Sequence, residues 1–178
     1  MSAILESFSK LVPEALKNKI SAAELEKIPS IILSNNISFL MEINGLTSDK
    51  AVSKSIAEKG FDLSTAQVNR VRNGTSEATS STLFKLALGL NIPAVDFMYL
   101  YDPAGFTDSG KPIGKFLSID ESLLINAVND AYTSMSVTTN SNSIDVRKLI
   151  LTALPGYRAT LTGNYDSFQK ELYEAMNQ

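Results

Sequence analysis

Ser64-Thr65-Ala66-Gln67-Val68-Asn69-Arg70-Val71-Arg72-Asn73-Gly74 is the stretch on which the fold turns. Val68 and Val71, three residues apart, share one face of a helix, and the polar residues between and around them occupy the rest. Ser64 is a preferred helix N-cap, because its hydroxyl can accept an otherwise orphaned backbone N–H. Asn73-Gly74 is a stop signal, since both residue types tolerate the left-handed turn that ends a helix. The spacing therefore predicts one short helix, held by two valines and presenting Thr65, Ala66, Gln67, Asn69, Arg70, Arg72 and Asn73 outward.

Working outward, the pattern repeats. Phe61-Asp62-Leu63 joins this helix to a preceding one that Thr47 or Ser48 can cap and Gly60 can end, with Ala51, Val52, Ser55, Ile56 and Lys59 at three- and four-residue spacing. Before that, Ile37, Leu40, Met41 and Ile43 form an apolar stripe from Asn36 to a stop at Asn44-Gly45. A polar loop over 75–80 leads to Ser81 and the stripe Leu83, Leu86, Ala87, Leu90, after which Pro93 opens a helix carrying Ala94, Val95, Phe97 and Met98. Five short helices with brief connections over residues 35–101 are expected to form one compact all-α domain.

The flanks are also helical in pattern. Residues 1–34 read as a helical arm, with Ile4, Leu5, Phe8 and Leu11 on one face, Pro13 opening a second helix, Ser21 and Glu24 spaced as a capping box, and Pro29 before Ile31, Ile32 and Leu33. The segment 102–114 holds two prolines and three glycines without periodicity and reads as a linker. Beyond it, 115–178 is a small C-terminal helical region, with helices expected over 119–134, 144–154 and 165–176 and a polar loop over 137–143. Three helices bury a poor fraction of their own surface, so this region is expected to dimerise.

Composition narrows the chemistry. The 178 residues include no cysteine, histidine or tryptophan, which excludes disulfides, the common zinc sites, thiol nucleophiles and histidine bases. No metal, no cofactor and no catalytic residue is expected. The apolar fraction of 44% and a mean hydropathy of +0.02 suit a chain with a real core. Neither a leader nor a membrane-spanning run is apparent, so the expected compartment is the cytoplasm. The net charge of −3 hides an asymmetry: residues 48–85 carry four acids against six bases, a balance of +2, while residues 86–178 carry ten against six, a balance of −4. A basic middle flanked by acidic parts suits a polyanion-facing module.

The order of these signals resembles the Cro/repressor (XRE-like) helix-turn-helix family over residues 36–98. Its parts are Gly45-Leu46-Thr47, then Ile56-Ala57-Glu58-Lys59, Ser64, Val68-Asn69-Arg70-Val71, Asn73-Gly74, the run Ser81-Thr82-Leu83-Phe84-Lys85-Leu86-Ala87, and Leu90-Asn91-Ile92-Pro93. The resemblance implies a DNA-binding domain whose second paired helix lies in the major groove. It implies base reading by the residues matching Thr65, Ala66 and Arg70, and places Asn69, Arg72 and Asn73 near the backbone or groove wall. The residues' own chemistry agrees: Arg70 can bond guanine bidentately, Gln67 can address adenine or a phosphate, and Ala66 can touch a thymine methyl. Lys54, Lys59, Ser64 and Thr75 complete the expected backbone contacts. The sequence departs from the family in two places. The turn before Ser64 is about one residue longer than usual, with a second helix that starts about five residues early. Ser53, beside Lys54, stands where the family carries a phosphate-binding glutamine.

Other signals weigh less. Gly105 to Lys111 matches the spacing of a phosphate-binding loop, but Pro112 stands where Ser or Thr should hold magnesium. Asp120-Glu121, Glu171 and Glu174 read as capping or solvated acids. Tyr99, Tyr101, Phe106, Tyr157 and Tyr165 could line a ligand pocket, although a tethering or dimer core is the commoner use. The expected protein is a prokaryotic or phage transcriptional regulator, repressor ahead of activator, acting as a homodimer on a near-palindromic operator. The alternative is an antitoxin-like factor gripping a protein partner through 115–178.

Overall fold

A computed structural model describes residues 20–114, 121–138 and 144–163, together with Leu172. The described residues are helical and contain no β-strand. In chain order the helices are α1 (Ala22–Leu25), α2 (Ile28–Ile43), α3 (Asp49–Glu58), α4 (Thr65–Arg72), α5 (Ser80–Gly89), a 3-10 helix (Ala94–Tyr101), α6 (Glu121–Thr138) and α7 (Val146–Thr162). The helices expected over 4–11 and 165–176 fall outside the described residues, apart from Leu172. Cα packing divides the chain into two compact units, one over Ile32–Ser118 and one combining Met1–Ile31 with Ile119–Gln178.

Three expectations need correction. The arm expected to end at 34 does not: α2 is one helix of 16 residues, so the division between units falls inside it rather than at a loop. Pro29 does not break α2, because it sits in the first turn, where backbone N–H groups have no helical partner to lose. The final helix of the first unit is 3-10 rather than α, with Pro93 at its N-cap. The segment 102–114 is not a free linker. Pro103, Ala104, Gly105 and Phe106 are buried, Phe106 bridges Pro112 in antiparallel register, and the turn between them closes through Thr107 N–H to Lys111 O at 2.8 Å.

The core of the Ile32–Ser118 unit explains that folding. Leu33, Ile37, Leu40 and Met41 from α2 meet Val52 and Ile56, Leu63, Val68 and Val71, Leu83, Leu86 and Ala87, and Leu100. Phe106 belongs to the same cluster, which ties the Pro-Gly segment to the core. Asn36, fully buried in α2, donates from Nδ2 to the carbonyls of Leu100 at 3.1 Å and Asp102 at 2.8 Å. A buried carbonyl left unpaired is costly, so this one carboxamide fixes where the chain leaves the 3-10 helix.

In the other unit, α6 packs on α7. Asp145 caps α7, its carboxylate accepting from Lys148 N–H at 3.2 Å, and Gly163 ends it in the left-handed region. The stripe expected to stop at 154 instead passes through Pro155 to Thr162. Leu149, Leu154 and Tyr157 are at most 2% exposed, so within a single chain α7 is already covered.

Candidate nucleic-acid interface

The pair α3–α4 is built by its caps. Ser48 opens α3 by accepting from Ala51 N–H at 3.2 Å, and Gly60, at φ +83, reverses the chain after it. Ser53 Oγ then donates to Leu63 O at 2.7 Å, which pins the connecting segment to α3. At Ser64 both halves of a capping box form: its hydroxyl accepts from Gln67 N–H, and Gln67 Oε1 accepts from Ser64 N–H at 3.0 Å. The C-terminal end closes through Gly74, at φ +67, with Thr75 N–H donating to Arg70 O at 2.9 Å. Val68 and Val71 are buried at 0% and 3%, and Ser34 of α2 donates to Arg72 O, so α4 is held on two helices.

The expected site residues separate into groups. Thr65, Ala66 and Arg70 lie exposed along α4, and Arg70 Nε reaches back to Ala66 O at 3.4 Å. Among the described residues the two terminal amino groups of Arg70 have no protein partner. Ser64 and Gln67 are exposed but engaged in the capping box, so Gln67 presents its amide nitrogen while its oxygen is turned to Ser64. Thr75 donates its hydroxyl to Arg70 O at 3.1 Å and acts as a second closure of α4. Lys54 pairs loosely with Glu58 at 3.7 Å on the exposed side of α3.

Lys59 goes elsewhere. Its ammonium donates to Leu88 O and to Asn91 Oδ1, the latter at 2.6 Å, so it serves the C-terminal end of α5, where a cation meets the negative end of the helix dipole. Asn69 and Arg72 are also committed internally. Arg72 donates from Nε to Asp49 Oδ1 at 2.6 Å and from Nη2 to Oδ2 at 3.3 Å, and Asn69 Nδ2 donates to the same Oδ2 at 2.8 Å. Asn73 Nδ2 in turn donates to Asn69 Oδ1 at 3.2 Å, a chain of bonds running from α3 to the end of α4.

Asp49 is the residue that sequence reasoning missed. An acid in the first turn of a helix reads as a partner for the dipole, and nothing local points to residues 20 and 23 positions away. Its side chain is 12% exposed and that of Arg72 33%, so the pair is partly exposed. Partial burial pushes the Asp49 carboxyl up, but the hydrogen bonds from Arg72 and Asn69 and the nearby guanidinium outweigh it and hold the group below its ordinary value.

No single helix among the described residues is long and apolar enough to cross a membrane. Comparison with family models, with curated proteins and with solved structures finds no match for this chain.

Proposed function

We propose that the protein is a sequence-specific double-stranded DNA-binding transcriptional regulator, repressor ahead of activator, in which α3 and α4 form a helix-turn-helix and α4 reads the major groove. One observation carries the reading: α4 is capped at both ends and buried through Val68 and Val71, while Thr65, Ala66 and Arg70 stand on its exposed side. A rigid helix with a short polar outer face is what base readout requires, because side chains must meet base edges within hydrogen-bonding tolerance. Arg70 is the principal reader, with a fork free for the O6 and N7 of guanine.

The backbone contacts of the proposal are reduced to Lys54 and the exposed parts of Ser64 and Asn73, since Lys59, Asn69, Arg72 and Thr75 hold the protein together. A homodimer on a near-palindromic operator stays part of the reading, because one α4 spans only a half-site. Apolar faces in want of cover were the reason to place its interface in 115–178. That reason does not extend to most of α7, whose apolar residues from Val146 to Tyr157 are buried within one chain. Selection from a randomised duplex library with the purified chain tests the function. The expected result is one enriched half-site, inverted and repeated at a spacing near one helical turn. Recovery of unenriched sequence sinks the reading.

A further inference from the structure

We propose that Asp49 is a specificity-determining residue, whose carboxylate keeps Arg72 off the phosphate backbone and so suppresses sequence-independent binding. The inference rests on the DNA-binding reading of α3 and α4 and deepens it. In such a pair the first helix crosses the DNA backbone, and Arg72, the last residue of α4, lies against the first turn of that helix, within reach of a phosphate there. A phosphate contact adds affinity on every sequence and carries no base information. Here the guanidinium meets the Asp49 carboxylate with two of its nitrogens, at 2.6 and 3.3 Å, the planar match that makes arginine a strong carboxylate partner.

The same carboxylate does a second job. Its Oδ2 accepts from Asn69 at 2.8 Å, so one acid holds two polar residues of α4, and Asn69 in turn accepts from the C-cap Asn73 at 3.2 Å. A reading helix needs its polar neighbours held still, because a loose carboxamide can adapt to any base. Asp49 is the first residue of α3, directly after its cap Ser48. That position supplies an anion that occupies the Arg72 fork ahead of DNA.

Salt dependence separates this from a purely structural role, since each phosphate contact contributes a slope of about 0.9 in log K against log salt. The probes are a duplex enriched from the randomised library and a scrambled duplex of equal length. Asp49→Asn keeps the shape of the side chain but drops the charge. It is expected to raise affinity for the scrambled duplex about fivefold at 0.15 M salt, to steepen the slope by about 0.9, and to narrow the ratio between the two duplexes. Adding Arg72→Gln to Asp49→Asn is expected to restore the original slope. Arg72→Gln alone is expected to leave the slope unchanged, because that charge is already spoken for. This last variant decides the matter if Asp49→Asn fails to fold by circular dichroism.

Two results overturn the proposal: a slope unchanged by Asp49→Asn in a folded protein, or a slope flattened by about 0.9 in Arg72→Gln alone. A native protein that holds both duplexes equally defeats the DNA-binding reading itself, which is a different failure from native discrimination with an unaltered Asp49→Asn slope.

Discussion

Helix α3 meets α5 and α4 in different ways. Toward α5 the contact is close at the backbone: Ile56 is fully buried, Gly89 sits so near it that a Cβ at that position collides with the Ile56 side chain, and Ser55 Oγ donates to Gly89 O at 2.8 Å. Toward α4 the contact also has an apolar part, through Val52 and Val68, but its rim is polar, with Asp49 gathering Asn69 and Arg72. Close packing is where stability resides, because volume lost or added in a dense core is felt at once. A polar rim contributes less energy but dictates orientation, since hydrogen bonds and ion pairs are directional. On this view the α3–α5 seam keeps the domain folded and the α3–α4 rim aims the outer face of α4.

The sharpest way to break the first half is Gly89→Ala. It is expected to cost about 1–3 kcal/mol by overpacking, read from chemical denaturation. Combining it with Ile56→Ala, which removes the Cγ1 that the new Cβ meets, is expected to cost less than the two single changes added together, so the two changes are non-additive. Strict additivity would show that the seam relaxes elsewhere. Next is Asn36→Ala, which strips the Leu100 carbonyl of its Asn36 donor and leaves Asp102 O with the Gly105 N–H alone, and is expected to cost about 1–3 kcal/mol. Proteolysis within 103–113 is expected to accelerate in that variant, because this carboxamide ties the start of the segment to α2.

The rim is expected to respond far more weakly in stability. Asp49→Asn should lower it by about 1 kcal/mol or less at neutral pH, as for a partly exposed ion pair. The sign with pH follows from the depressed carboxyl. Asp49 is ionised at lower pH in the folded chain than in the unfolded one, so its contribution is present above the unfolded value of about 3.9 and fades as pH falls through the folded value. Native and Asp49→Asn proteins should therefore differ most above about pH 4.5 and converge below it. A gap that widens toward acid would mean the carboxyl is raised rather than lowered.

What the sequence revealed and what it hid divide along the same line. Caps are local chemistry, so Ser64 with Gln67, Gly60 and Asn73-Gly74 were readable from neighbours a few residues away, as were the buried Val68 and Val71. The loop expected over 75–80 ends one residue earlier, since Thr79 caps α5 and Ser80 already belongs to it. The long-range polar pairs were not legible: Asp49 with Arg72, Asn36 with Asp102, and Lys59 with Asn91 join residues that only the fold brings together. Segment 102–114 misled for a related reason. Proline and glycine announce a turn but do not say whether that turn is packed, and the burial of Phe106 depends on a cluster drawn from the whole unit. The helix expected over 144–154 fell short at its C-terminal end, since α7 accommodates Pro155 and runs on to Thr162.

The central claim, that the outer face of α4 reads bases, is tested most directly with Arg70→Ala on single-base variants of the selected duplex. The account predicts a loss of about 1–3 kcal/mol on the preferred site, confined to one base pair whose identity then ceases to matter, with helicity unchanged. An equal loss on every duplex would reduce Arg70 to a phosphate contact. Unchanged affinity and unchanged base preference in a folded Arg70→Ala protein would contradict the account, leaving Arg70 as a surface charge resting on the carbonyl of Ala66.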